Sequence, residues 1–210
     1  MINAERYVSA RMTARNLQPP RAPAATRSTL AQIRSRMLKA ARFGGKTFLE
    51  LKDDTTLTAQ AFGVLALVSL AYGIGFTAVT ARGGDISPAM LVVMILNFMI
   101  SFLFTIFVWS MTTFLVGTKL FRGVTSFKGL LRPLFFSTAP GFLFVLMVIP
   151  LTMVGQAIAV LAWGWIIVAG VFAIKNAMGF SIMVSMITFI IYVFIFYLVL
   201  LPIIFGFLFR

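Results

Sequence analysis

From residue 133 to residue 174 the chain runs for about 42 residues without a charged side chain, or about 63 Å if it is helical. A bilayer's hydrocarbon core is about 30 Å thick and takes about 20 helical residues, so this stretch is twice too long for one crossing and must turn back within itself. Val154, Gly155 and Gln156, a few residues after Pro150, are the polar break nearest its middle, and a tight hairpin is predicted there. Three other uncharged runs cover residues 55–81, 86–118 and 181–209. The run 86–118 is too long to stand upright and too short for two crossings with a turn, so it reads as one long or tilted span centred near residues 97–116. Arg82, Gly83, Gly84, Asp85 and Pro88 make a short polar turn before it, and Pro202 falls near the end of the last run. The prediction is an all-α fold, a polytopic bundle of five transmembrane helices over residues 55–210.

Composition agrees with lipid as the solvent. Sixty per cent of the 210 residues are hydrophobic and 23 are Phe, with a mean hydropathy of +1.02, which does not suit a water-soluble surface. The charge is +13, from 18 Lys and Arg against five acids. In a soluble protein that excess would raise nucleic acid as a partner. Here 11 of the 18 basic residues precede residue 53, and a basic tail beside a bilayer meets anionic lipid headgroups at about 1 kcal/mol per residue. Anionic lipid is the expected partner, and nucleic acid is not.

Residues 1–54 form a separate region, a basic arm followed by an amphipathic helix. Pro19, Pro20 and Pro23 break any helix in the first part, which reads as an extended arm. After Ser28, a plausible N-cap, Leu30, Ile33, Met37, Leu38 and Ala41 recur at helical spacing, and Arg34, Arg36, Lys39 and Arg42 take the other face. Such a helix lies in the membrane interface; the alternative is a helix packed on the protein's own loops. Gly44 and Gly45 interrupt it, and Phe48, Leu49 and Leu51 continue the surface up to Asp53 and Asp54. About 55 polar residues before the first apolar run do not read as a cleavable signal.

With five spans, the tail, a basic loop after the second span and Lys175 share one side, sixteen Lys and Arg against two. The positive-inside bias then makes the N-terminus cytoplasmic and puts the C-terminus outside. A six-span alternative would return Arg210 to the cytoplasm. The loop belongs to GTKLFRGVTSFKGLLRPLFFSTAPG at 117–141, whose Lys119, Arg122, Lys128 and Arg132 are expected, with Arg34, Arg36, Lys39 and Arg42, to meet lipid phosphates or a partner's acidic surface.

The chain has no Cys and no His, which excludes disulfides, thiolate and imidazole metal sites, Cys nucleophiles and His-based triads. No carboxylate lies within a span, which argues against proton or sodium coupling through side-chain acids. Asp53, Asp54 and Asp85 are too sparse and too near the interfaces to suggest an enzyme site, and no cofactor is expected. Asn97, Ser101 and Thr105, at i, i+4 and i+8, share one face of the second span. That stripe is expected to bond neighbouring helices at about 0.6 kcal/mol per contact; the alternative is the lining of a small aqueous path. Ala169, Ala173 and Ala177, also spaced by four, are expected to let helices approach closely and to make the fourth span central.

The stretch 117–141, together with LAWGWIIVAGVFAIKNAMGFS at 161–181, resembles the Yip family of multispanning proteins, named in eukaryotes for interacting with Ypt and Rab GTPases. Its bacterial members are the nearest in pattern: a glycine-containing basic loop, an Arg before an aromatic-rich span, an Ala-Pro pair like Ala139 and Pro140, and a Trp-led helix ending in a basic residue and a Gly. The resemblance covers about residues 57–205. It implies five spans with a cytoplasmic N-terminus in a bacterial inner membrane, and it supplies no catalytic residues. The basic, Pro-interrupted tail departs from the eukaryotic branch and matches none of that branch's acidic cytoplasmic motifs, which argues against GTPase binding. The expected function is a non-enzymatic membrane scaffold or accessory subunit working with other membrane protein subunits; a small-solute transporter or channel is the alternative.

Overall fold

Residues 29–200 are described by the computed structural model; the arm, Ser28, Pro202 and the end of the last uncharged run lie outside the described residues. The chain divides into two units, Met1–Ile33 and Arg34–Arg210. Of the first, only the opening residues of helix α1, Thr29–Ala41, are described. All regular structure among the described residues is helical.

Helix α1 ends in a reverse turn in which the Phe43 N–H reaches the Ala40 carbonyl and the Gly44 N–H reaches that of Lys39, at 3.0 Å each. This is the paired arrangement that closes helix C-termini. The left-handed position is taken by Phe43 (φ 58°) rather than by either glycine, and its ring stacks on Phe172 at 5.2 Å. Helix α2, Gly45–Asp53, buries Thr47, Phe48 and Leu51. Asp54 then accepts from the Thr56 N–H and hydroxyl, at 2.9 and 2.6 Å, and starts the turn into helix α3, Thr58–Thr80.

Two glycines bring the backbone of α3 against its neighbours. A Cβ at Gly73 would lie 2.6 Å from the Ile95 carbonyl oxygen, and one at Gly75 would lie 2.0 Å from that of Phe144. Tyr72, immediately before Gly73, sits in an aromatic cluster, with ring centroids 4.8 Å from Phe102, 5.1 Å from Phe144 and 6.0 Å from Trp163. Helix α4, Pro88–Leu115, begins at the Ser87 N-cap with proline in its first turn and continues through a π turn to Leu120. It is one long span, as its run length predicts.

The third crossing is broken. Helix α5, Phe127–Ser137, contains Pro133 and passes into a 3-10 segment, Ala139–Val148, that carries Pro140 in its first turn. Helix α6, Thr152–Met178, follows and is closed by Gly179 in the left-handed conformation (φ 72°). The reversal therefore falls at residues 149–151, earlier than Val154, Gly155 and Gln156, which lie in the first turns of α6. Gly155 serves packing there, buried near Val79 and Arg82. A 3-10 helix rises about 2.0 Å per residue against 1.5 Å in an α-helix. Ten residues in that form gain about 5 Å, so the chain reaches the far side roughly three residues sooner.

Helix α7, Ile182–Ile195, starts at the Ser181 N-cap and ends in a π turn, Phe196–Leu200. Among the described residues four helices are long and apolar enough to cross a membrane, and Ile182–Leu198 is a shorter apolar helix; the end of the fifth expected span lies outside the described residues. The third crossing is the most enclosed: 72% of its most apolar stretch is buried, against 39% for the fourth and 11% for the second. Residues 131–140 are buried without interruption. The fourth span supplies a packing face to this centre rather than being the centre, and Ala169, Ala173 and Ala177 on it are fully buried.

Candidate functional site

The end of the bundle where α3 and α5 begin and α4 and α6 finish carries most of the described cations. Arg132, in the second turn of α5, is 2% exposed. Its Nε donates to the Leu51 carbonyl at 2.7 Å, one terminal nitrogen donates to the Lys52 carbonyl and the other to the Thr58 hydroxyl at 3.3 Å. The last carbonyls of a helix have no partner within it and carry partial negative charge, which a planar guanidinium satisfies. Gly129, one turn earlier, is buried at the start of α5, where a Cβ would lie 3.0 Å from the Thr125 and Ser126 hydroxyl oxygens. Expected to face lipid phosphates or a partner, Arg132 instead fastens α2 to α3 and α5.

Arg36 is also committed internally. Its Nε and Nη2 donate to Glu50 Oε1 at 3.2 and 3.1 Å, and its Nη1 donates to Gln60 Oε1 at 3.0 Å. This ion pair joins α1 to α2, and the Gln60 bond ties both to α3. A third fastening comes from α6, where the Trp165 indole N–H donates to the Ala41 carbonyl at 2.8 Å. Trp165 lies ten residues before Lys175, about 15 Å of helix. The turn after α1 lies along the end of α6, with the Phe43 ring on Phe172 and Gly45 against the Asn176 side chain, beside Lys175, whose ammonium stands 5.9 Å over the Phe172 ring.

Around these fastenings Arg34, Lys39, Arg42, Lys46, Lys119, Arg122 and Lys128 are exposed. Arg122 adopts φ 55°, in a loop closed by the Gly123 N–H on the Gly117 carbonyl at 2.8 Å. That loop folds over Phe180, which a Cβ at Gly123 would meet at 2.7 Å. Hydrogen bonds from the Thr56 hydroxyl and N–H, in that order, hold the exposed Asp54 carboxyl below its ordinary value, with Arg36 and Arg132 adding to the effect. The ensemble is a set of exposed cations around internally bonded Arg36 and Arg132, suited to phosphate or carboxylate groups.

The polar stripe of the second span is arranged differently from expectation. Asn97 and Ser101 are exposed on the outer side of α4. The Ser101 hydroxyl donates to the Asn97 carbonyl and the Thr105 hydroxyl to the Ser101 carbonyl, both at 2.8 Å. These bonds run along their own helix, so they neither join neighbouring helices nor line a common path. Thr105 alone reaches a cavity of about 480 Å³, where Trp109, Trp163, Phe189, Tyr192 and Tyr197 also contribute walls.

Two features were not apparent from sequence. Arg82 donates to the Met147 and Ile149 carbonyls at the end of the 3-10 segment, the counterpart of Arg132 at the opposite end of the same crossing. The only trace of it in the sequence is an Arg beside one span end with Pro150 near the end of the next uncharged half-run. Buried Thr77, Thr113 and the Trp109 indole N–H have no hydrogen-bond partner among the described residues.

Fold and site together define a helical multispanning membrane protein with one strongly basic end. The Yip1 domain family description matches residues 42–203, well over half of the chain, and the protein belongs to that family. The match begins at Arg42, where α1 ends, and takes in α2 and the whole described bundle. Among curated proteins and among solved structures no match was found.

Proposed function

We propose that this protein is a non-enzymatic membrane scaffold or accessory subunit, with its basic end against anionic lipid headgroups and the acidic surface of a partner membrane protein. One observation carries the reading: seven exposed cations lie on α1 and the turn that closes it, on α2, on the π turn and loop after α4 and at the start of α5, and Arg36, Arg132 and Trp165 fasten α1, α2 and α5 to the bundle. Cations held on fixed backbone recognise a surface with little ordering of their own. The same reading puts the basic end on the cytoplasmic side of a bacterial inner membrane, by the positive-inside bias.

Purification from native membranes in mild detergent tests it. The expected outcome is a stoichiometric membrane-protein partner that is lost when Lys119, Arg122 and Lys128 are all changed to Glu. At about 1 kcal/mol for each basic residue near an anionic surface, removing three weakens the contact by roughly 150-fold before any repulsion. A lone monomer, whose residues 1–27 are as protease-sensitive in native membranes as in detergent, would end the proposal. Because the chain has no Cys, single thiols placed at Lys128 and at Gly84 report orientation, and labelling of Lys128→Cys from outside the cell would reverse the assignment.

A further inference from the structure

Asn97 lies nine residues, about 14 Å of helix, into the second span, and its side chain is exposed on the side of α4 turned away from the bundle. The inner side of that helix is occupied: the Ile95 backbone lies against Gly73, and Phe98 and Phe102 pack on Tyr72. The amide of Asn97 offers one acceptor and two donors and makes no hydrogen bond among the described residues. Ser101, its neighbour on that side, has already satisfied its hydroxyl along the helix. A span in which 11% of the most apolar stretch is buried thus turns one unsatisfied amide toward lipid, where polar groups ordinarily face protein.

The residues around it are patterned. Val93, Asn97, Ile100, Phe104, Phe107 and Met111 are all exposed and separated by alternating steps of four and three. That is the repeat of a two-helix seam, which keeps one face toward a partner over its length. Within it Asn97 is the single polar position, and a lone Asn in such a seam fixes register and favours pairs. We propose that this face joins two copies of the chain, side by side in the same orientation, with Asn97 of one amide-bonded to Asn97 of its partner. Two chains inserted alike carry the residue at the same depth, and an amide is its own complement, as donor and acceptor, across a twofold axis. A different helix would have to present a matching polar group at that depth, whereas a second copy always does.

The proposal goes beyond the scaffold reading, which rests on the basic end, and either can fail alone. Its test uses the full chain purified and reconstituted into lipid vesicles, where no other protein is present. Ile100→Cys, on the seam, is expected to form a disulfide-linked dimer on mild oxidation, and Val160→Cys, 73% exposed on α6, is not. Adding Asn97→Leu to Ile100→Cys is expected to weaken association roughly eightfold, the loss of two reciprocal bonds at about 0.6 kcal/mol each, and Asn97→Gln is expected to retain it. Absent cross-linking at Ile100→Cys, equal cross-linking at Val160→Cys, or no effect of Asn97→Leu would each overturn it. So would an Ile100→Cys adduct in native membranes made with a different protein and not with a second copy.

Discussion

Replacing Arg132 by Met keeps the length of the side chain and removes its five donors. Two backbone carbonyls and the Thr58 hydroxyl then lose their partner. Hydrogen bonds from a charged group contribute about 1.5–3 kcal/mol each, so the two carbonyl bonds amount to roughly 3–6 kcal/mol. The guanidinium no longer has to be held out of water, and this offsets several kcal/mol of gross gain; a net loss of about 2–4 kcal/mol remains. The loss is local, because Phe48 and Leu51 stay fully buried and continue to hold α2 by apolar contact. Hydrogen exchange on the detergent-solubilised protein reads it directly: amides of α2 and of residues 54–58 should exchange about 30- to 900-fold faster at 1.36 kcal/mol per decade. Amides in the middle of α6 should keep their rates. Arg132→Lys should recover only part of the protection, since a single ammonium cannot span acceptors placed for a planar fork. Lys128→Met, one turn away and exposed, should change nothing beyond about 0.5 kcal/mol. Unchanged exchange in α2 for Arg132→Met, or an equal effect from Lys128→Met, would refute the idea that this arginine is a fastening.

Gly75→Ala puts a methyl 2.0 Å from the Phe144 carbonyl oxygen; backbone must move on both sides, and thermal unfolding should report a loss of about 2 kcal/mol or more, whereas Gly63→Ala, with open space around it, should be neutral or stabilising. The Asp54 carboxyl is held below its ordinary value of 3.8 by Thr56, so its capping contribution is complete above that pH and is lost only as pH falls through the lower folded value. Exchange protection of the Thr56 amide, corrected for intrinsic rates, should therefore be flat from about pH 8 to pH 5; a step within that range would show that another group controls the turn.

The sequence makes the helical type and the first four spans legible because uncharged run length converts to membrane thickness without reference to any contact. The run 86–118 became a single span from Pro88 for this reason. The same conversion assumes an α-helical rise, and it fails where Pro133 and Pro140 help drive the third crossing into 3-10 form, which is why Gly155 was read as a turn residue. At the basic end, Lys119, Arg122, Lys128 and Arg132 are indistinguishable as charges. What separates Arg132 is the set of unmet carbonyls at the end of α2, and backbone groups have no letter in a sequence. Asn97, Ser101 and Thr105 are spaced to follow one side of a helix, but spacing cannot say whether that side faces in or out, and here Asn97 and Ser101 are exposed while Thr105 lines the cavity. Ile95, Phe98 and Phe102 settle the question by occupying the inner side themselves.

Arginines at both ends of the third crossing set a mechanical limit on the centre of the bundle. Conversion of Ala139–Val148 from 3-10 to α-helical hydrogen bonding would draw its ends together by about 5 Å. Arg82 holds the carbonyls at one end of that crossing, while Arg132, on α5 near the other end, grips the carbonyls that close α2. Shortening would pull these contacts apart. The crossing therefore acts as a strut of fixed length, and a bilayer of the wrong thickness has to be accommodated by the outer helices, through tilt, rather than by compression at the core.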